Sequence, residues 1–151
     1  MKEIIELLSA ALAPITAIVA LGIAYRQYRL EKVKFRHELY EKRLAVFSST
    51  MKLLSVVMRT ANVKMEDLIQ FLQETNQSYF LLGKDISNYL EEIYKKGVDL
   101  EFLNEQLHQN GLPVGEERTR LAGEKKELLK WFSSQMVILR RKFAVHLGLD
   151  K

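Results

Sequence analysis

The chain has 151 residues, 48% of them apolar and 28% charged, a composition that supports a core and argues against disorder. It contains no Cys, which excludes a disulfide framework and Cys-ligated zinc or iron–sulfur sites. Its net charge of +4 is uneven, with basic bands over residues 26–58 and 111–151 and an acidic stretch between them. Such bands suit anionic lipid headgroups or a phosphate-bearing ligand, or simply the solvated faces of helices.

Residues 7–25, "LLSAALAPITAIVALGIAY", carry no formal charge. As a helix rising 1.5 Å per residue they would extend about 28 Å, close to the ~30 Å hydrocarbon core of a bilayer. Tyr25 and Tyr28 stand where interfacial aromatic anchors belong. A signal peptide is the first alternative, but Lys2 against Glu3 and Glu6 is not a clearly positive start. A charged amphipathic segment also follows, where a cleavage site would be needed. An Ala-rich core helix of a soluble bundle is the second alternative.

Arg26, Arg29, Lys32, Lys34, Arg36, Lys42 and Arg43 follow the apolar run. The positive-inside rule then predicts a single-pass protein of the cytoplasmic (inner) membrane, N-terminus outside and body in the cytoplasm. Ser9, Ala13, Ala17, Ala20 and Ala24 form a small-residue stripe of the kind that lets membrane helices approach. Pro14 removes one backbone donor and is expected to kink or loosen one turn.

No Gly or Pro occurs between Tyr25 and Gly83, so the helix is expected to run on. Leu30, Val33, His37, Tyr40, Leu44, Phe47, Met51, Leu54 and Met58 alternate at three- and four-residue steps, as a coiled-coil seam does. The stretch from Leu30 to Tyr40 is read as a self-association segment, and that from Leu44 onward as packing within the chain. His37 is the one polar seam position. In a parallel homo-oligomer it would converge on the axis among Lys34, Arg36 and Tyr40, where it could meet an anionic ligand or titrate near pH 6. The alternative is a histidine hydrogen-bonded within the bundle.

The rest of the chain reads as helices. One is expected from an Asn62 cap to Gly83, and one from an Asp85 cap, bent at Gly97. After the loop "NGLPVG" (110–115), a last helix runs from about Glu116 to Gly148. Its apolar side holds Leu121, Leu128, Leu129, Phe132, Met136, Leu139, Phe143 and Leu147, with Trp131 as a packing residue. The expected fold class is all-α: a transmembrane helix continuing into a cytosolic bundle of about four helices. The expected parts are an anchor (1–25), a juxtamembrane amphipathic helix (26–58) and a helical body (59–151).

Catalytic chemistry has no visible carrier. His37, His108 and His146 lie far apart, with no metal-ligand spacing, and no Gly-rich phosphate loop is present. The chain is therefore read as a non-enzyme without metal or cofactor, and no helix-turn-helix pattern points to DNA.

"YEKRLAVF" after a membrane segment, then "FLLGKDISNYLEEI" and "LLKWFSSQMVILRRKF", resembles a widespread family of small bacterial single-pass membrane proteins. That resemblance implies anchoring and a helical cytoplasmic body, and no activity. In plan the chain is also similar to membrane effectors of prokaryotic antiviral systems, among them type III CRISPR accessory proteins that bind cyclic oligoadenylates. That likeness implies a homo-oligomeric effector sensing a cyclic oligonucleotide and perturbing the bilayer. Its ligand site would be Lys34, Arg36 and Arg43 on phosphates, with Tyr40 or His37 stacking on bases. The competing expectation is a membrane-tethered scaffold that docks a partner protein and takes no ligand.

Overall fold

Seven Gly and two Pro leave few positions that oppose helix, and helix dominates. A computed structural model describes the backbone of residues 2–108 and 115–148, with side chains from residue 14 onward. Among the described residues there are five helices and no strand: α1 (Lys2–Thr60), α2 (Met65–Thr75), α3 (Ser78–Leu82), α4 (Lys84–His108) and α5 (Glu116–Leu147). The all-α class expected from the sequence is the class observed. Loop residues 110–114 lie outside the described residues.

The chain divides into two units, residues 1–39 and 40–151, with α1 contributing to each. In the first unit every described side chain is exposed except Leu39, which is half-buried. Ile15, Ile18, Val19, Leu21 and Ile23 are all more than half exposed, Ile18 and Leu21 to 70%. α1 continues through Pro14 without a break. Among the described residues no helix is long and apolar enough to cross a membrane. Residues 7–13 of the expected span, with Ser9 and Ala13 of the small-residue stripe, lie outside those with described side chains.

In the second unit, α4 packs against α2, α3 and α5. The 40–60 part of α1 supplies Val46, Leu53, Leu54 and Val57 to a core that also holds Leu68, Phe71, Ile93, Leu100, Phe132, Leu139 and Phe143. Burying each such side chain contributes about 1.5–3 kcal/mol, which is what holds these helices together. Phe47 meets Phe143 with ring centroids 5.5 Å apart, joining α1 to α5. Trp131 is half-buried against the core, edge-on to Phe132, in the packing role expected of it.

The expected seam in the body holds in part: Leu54 is buried and Phe47 and Met51 are half-buried against the core. Leu44 and Met58 are exposed, while Val46, Thr50, Leu53, Leu54 and Val57 are buried. Thr50 holds a core position that an apolar rhythm passes over. Its hydroxyl donates to the Val46 carbonyl at 2.8 Å, so a polar residue sits fully buried at no hydrogen-bonding cost.

Two caps also differ. α1 ends where Ala61 turns left-handed (φ 51°), its N–H bonding the Val57 carbonyl. Asn62 therefore caps nothing: its Oδ1 accepts from the Val63 N–H at 2.7 Å and from Asn104 Nδ2. α2 begins three residues later, where Asp67 accepts from the Lys64 N–H at 3.3 Å and Glu101 of α4 from the Met65 N–H at 2.8 Å. The helix expected over 62–83 is two helices, because the chain turns at Asn76 and Gln77. Asp85 lies inside the first turn of α4, which starts directly after Gly83 at φ 84°.

α4 runs through Gly97 as one continuous helix. A Cβ there would stand 2.5 Å from Leu68 Cδ2, so glycine is what lets Leu68 of α2 pack on α4 as it does. Gly97→Ala gains about 1 kcal/mol of helix propensity but forces a fully buried Leu68 to move, which costs about 1–3 kcal/mol. We expect a net loss in urea unfolding, turned into a gain when the same change is made in a Leu68→Ala background. Equal effects in the two backgrounds would refute the close-approach account.

Tyr89 of α4 is buried, and among the described residues its hydroxyl has no hydrogen-bond partner. Burial, with the Glu92 charge adding to it, raises its pKa from 10 to about 12. The unfolded chain thus releases this proton first, so stability is fully present below pH 10 and falls as pH rises towards 12. Denaturation followed from pH 9 to 12 is expected to show that loss. Tyr89→Phe should remove it while leaving neutral-pH stability equal or higher.

Candidate functional site

The five residues singled out as a ligand site all lie on α1, but they divide between the two units. Lys34, Arg36 and His37 belong to the first, Tyr40 and Arg43 to the second. Lys34, Arg36 and His37 are exposed. At about 100° of rotation per residue, Lys34 and Arg36 point to nearly opposite sides of the helix, so within one chain they do not converge on one phosphate. Lys34 and His37, three apart, do share a side.

Tyr40 is 40% exposed at the start of the body. Arg43 is half-buried and already occupied. Its Nε donates to the Leu81 carbonyl at 3.0 Å and its Nη1 to the His146 carbonyl at 3.2 Å. One guanidinium thus ties α1 to the last turns of α3 and α5, satisfying carbonyls that helix ends leave open. The fork of donors that made Arg43 attractive for phosphate is spent on backbone.

The clefts described on the body are small or open to solvent. A cleft between α1 and α2, lined by Ser49, Lys52, Gln70 and Glu74, has a volume of about 20 Å³, room for little more than a water. Hydrogen bonding from Ser49, then Gln70, with the Lys52 charge weaker, holds the Glu74 carboxyl below the usual carboxylate range. A wider open groove runs past Lys64, Glu101, Glu105 and His108. There the His108 ring meets the Asn104 carbonyl at 2.7 Å. Among the described residues no three His, Asp or Glu side chains converge on a metal-sized point.

Two features escaped the sequence reading. Buried polar residues Thr50, Asn104 and Gln135 sit at core positions that an apolar pattern cannot flag. The adjacent aromatics Tyr79 and Phe80 stand outside the body, Phe80 at 87% exposure. Only the offset of "YF" from the three–four rhythm of its neighbours could have hinted at it. The chain matches no protein-family model, no curated protein and no solved structure.

Arg43→Ala removes two charge-assisted bonds and is expected to cost about 1.5–3 kcal/mol in ligand-free protein. That loss reads as a lower urea midpoint at unchanged slope. Lys34→Ala, at an exposed site, should stay within about 0.5 kcal/mol. Equal midpoints for the two variants would remove Arg43 from the framework and return it to a binding role.

Proposed function

We propose that the chain is a membrane-tethered helical scaffold, anchored by the N-terminal part of α1. The carrying observation is the exposed apolar stretch of α1: Ile15, Ile18, Val19, Leu21 and Ile23, each more than half exposed, point to several sides of the helix. A helix apolar all round needs a cover, and a bilayer supplies one on every side at once. Tyr25 and Tyr28, both exposed, sit at the depth of an interfacial belt, and Arg26, Arg29, Lys32 and Lys34 follow as a collar for anionic headgroups. By the positive-inside rule the collar supports a body on the cytoplasmic side.

Leu30 and Val33, each more than 60% exposed, remain open on the segment read as self-associating. They support pairing with further copies above the bilayer. The ligand-sensing alternative loses ground to the scaffold, because Lys34 and Arg36 diverge and Arg43 holds the body together.

Full-length protein expressed in bacteria is expected in the membrane fraction and to resist high salt and alkaline carbonate. An Ile18→Asp, Leu21→Asp double variant places two charges in the apolar stretch, each costing about 2.5–3.5 kcal/mol at mid-bilayer, and should shift the protein to the wash. Release of the unaltered chain by carbonate would end the anchor reading.

A further inference from the structure

We propose that the body docks onto a second copy of this chain, the acidic α2 of one copy lying in a basic groove between α1 and α5 of the next. The contact goes beyond the tether and does not depend on it, because every residue in it belongs to the second unit.

The first surface is α2. Its core side holds Leu68, Phe71 and Thr75, yet Met65, Ile69 and Leu72 are 38%, 47% and 41% exposed. Spaced four and three apart, they form a second apolar stripe on a helix whose core side is already filled. The charge on α2 has one sign: Glu66, Asp67 and Glu74, with no Lys or Arg in its 11 residues. Glu101 of α4 adds a carboxylate at the Met65 N–H. Against these stand Lys64, the residue before the helix, and Lys52 across the α1–α2 cleft, and acid prevails.

The second surface is the groove. It is lined by Met58 of α1, 40% exposed, by Ala122 and Leu129 of α5, and by Lys125, Lys126 and Lys130. Lys130 is bound to Glu127 at 2.7 Å, whereas Lys125 and Lys126 make no ion pair among the described residues. At about 100° per residue, the carboxylates of α5 (Glu116, Glu117, Glu124 and Glu127) all fall on the half of the helix opposite Ala122 and Leu129. Arg118, Lys125 and Lys126 fall on the same half as Ala122 and Leu129. That segregation leaves cations beside apolar surface with no α5 carboxylate on their side.

Complementarity selects the occupant. Insertion into lipid needs an apolar side chain that stands out, and here Ala122 is a methyl and Leu129 is half-buried. An acidic helix with apolar residues at four-and-three spacing matches both the charge and the apolar lining, and this chain carries one. Ala122 and Leu129 are two turns apart, within the three turns of α2, and the small Ala122 lets a docked helix approach closely. The two surfaces share no residue, so the contact is heterologous: each copy can offer α2 to one neighbour and its groove to another.

The chain has no Cys, which makes single thiols specific reporters. Full chain in mild detergent is prepared as Ile69→Cys and, separately, as Ala122→Cys, and the two are mixed and treated with a short bismaleimide. The mixed pair is expected to cross-link several-fold more than either variant alone. It should also exceed Ala122→Cys mixed with Phe102→Cys, an exposed site on α4. A Lys125→Glu, Lys126→Glu change in the groove copy should lower the yield about tenfold, and Glu66→Lys in the other copy should restore part of it. Should the charge reversal unfold α5, a salt titration of the unaltered pair reads the same dependence, with high salt suppressing the adduct.

A mixed pair that links no more than the Phe102→Cys control overturns the contact. Ile69→Cys linking to itself as readily as to Ala122→Cys would place the acidic faces together and also overturn it. So would a yield indifferent to salt and to charge reversal. Protection of the Ala122→Cys thiol by anionic vesicles, with no adduct in the mixed pair, would overturn it in favour of lipid. The carbonate wash is scored on the same samples. Retained protein without the adduct loses the contact and keeps the anchor, and adduct in washed-out protein does the reverse.

Discussion

A single guanidinium closes the body at the end where α1 enters it. Helix ends expose carbonyls that need donors, and two such ends, those of α3 and α5, present theirs to Arg43. Because the donors are rigidly forked, satisfying both carbonyls fixes α3 and the tail of α5 against α1 at one time. The T-shaped Tyr79–Phe80 pair and the exposed Val145 are then held at one place by framework chemistry, not by contacts of their own. At the other end a polar set does comparable work. Asn62 accepts from Asn104, and Glu101 caps α2, so α4 is tied to the turn after α1 and to the start of α2.

Between those ends the core is ordinary hydrophobic packing with one close approach. The Leu68 Cδ2 methyl lies where a Cβ at position 97 would stand, so the way this buried side chain packs on α4 depends on Gly97. The sequence shows Gly97 in mid-helix, and propensity alone reads it as a bend. Only the partner helix shows that it is a contact.

The same contrast explains what was legible. Helical class, the extent of α5 and its stop at a left-handed Gly148 follow from local rules: a three–four rhythm, a terminal glycine, no period-two segment. The inward face of α1 followed only in part: Phe47, Met51 and Leu54 pack as the rhythm predicts, whereas Thr50 satisfies itself by back-bonding and so occupies a core position without an apolar side chain. The Asn62 cap failed for a related reason: its side chain is committed to α4, forty-two residues away. For the candidate site, residue types were readable but assignments were not. An Arg that binds phosphate and an Arg that binds carbonyls look alike in sequence, and only the Leu81 and His146 partners distinguish them for Arg43.

The two units differ in how their apolar residues are satisfied, and that difference carries the functional argument. In residues 40–151, Leu54, Val57, Leu68, Ile93, Leu100, Phe132 and Phe143 are all but completely withdrawn from solvent within the chain itself. In residues 14–35, Ile, Val, Leu and Phe side chains of the same kinds are left outside. Apolar surface of that extent is costly in water at about 25 cal/mol per Å² and calls for a cover from outside the chain. A partner helix would cover one stripe and leave the rest wet; a bilayer covers all of it. The contrast between a body that covers its own apolar side chains and a first unit that does not is what supports the tether proposed above, with the cations of residues 26–36 following the apolar stretch.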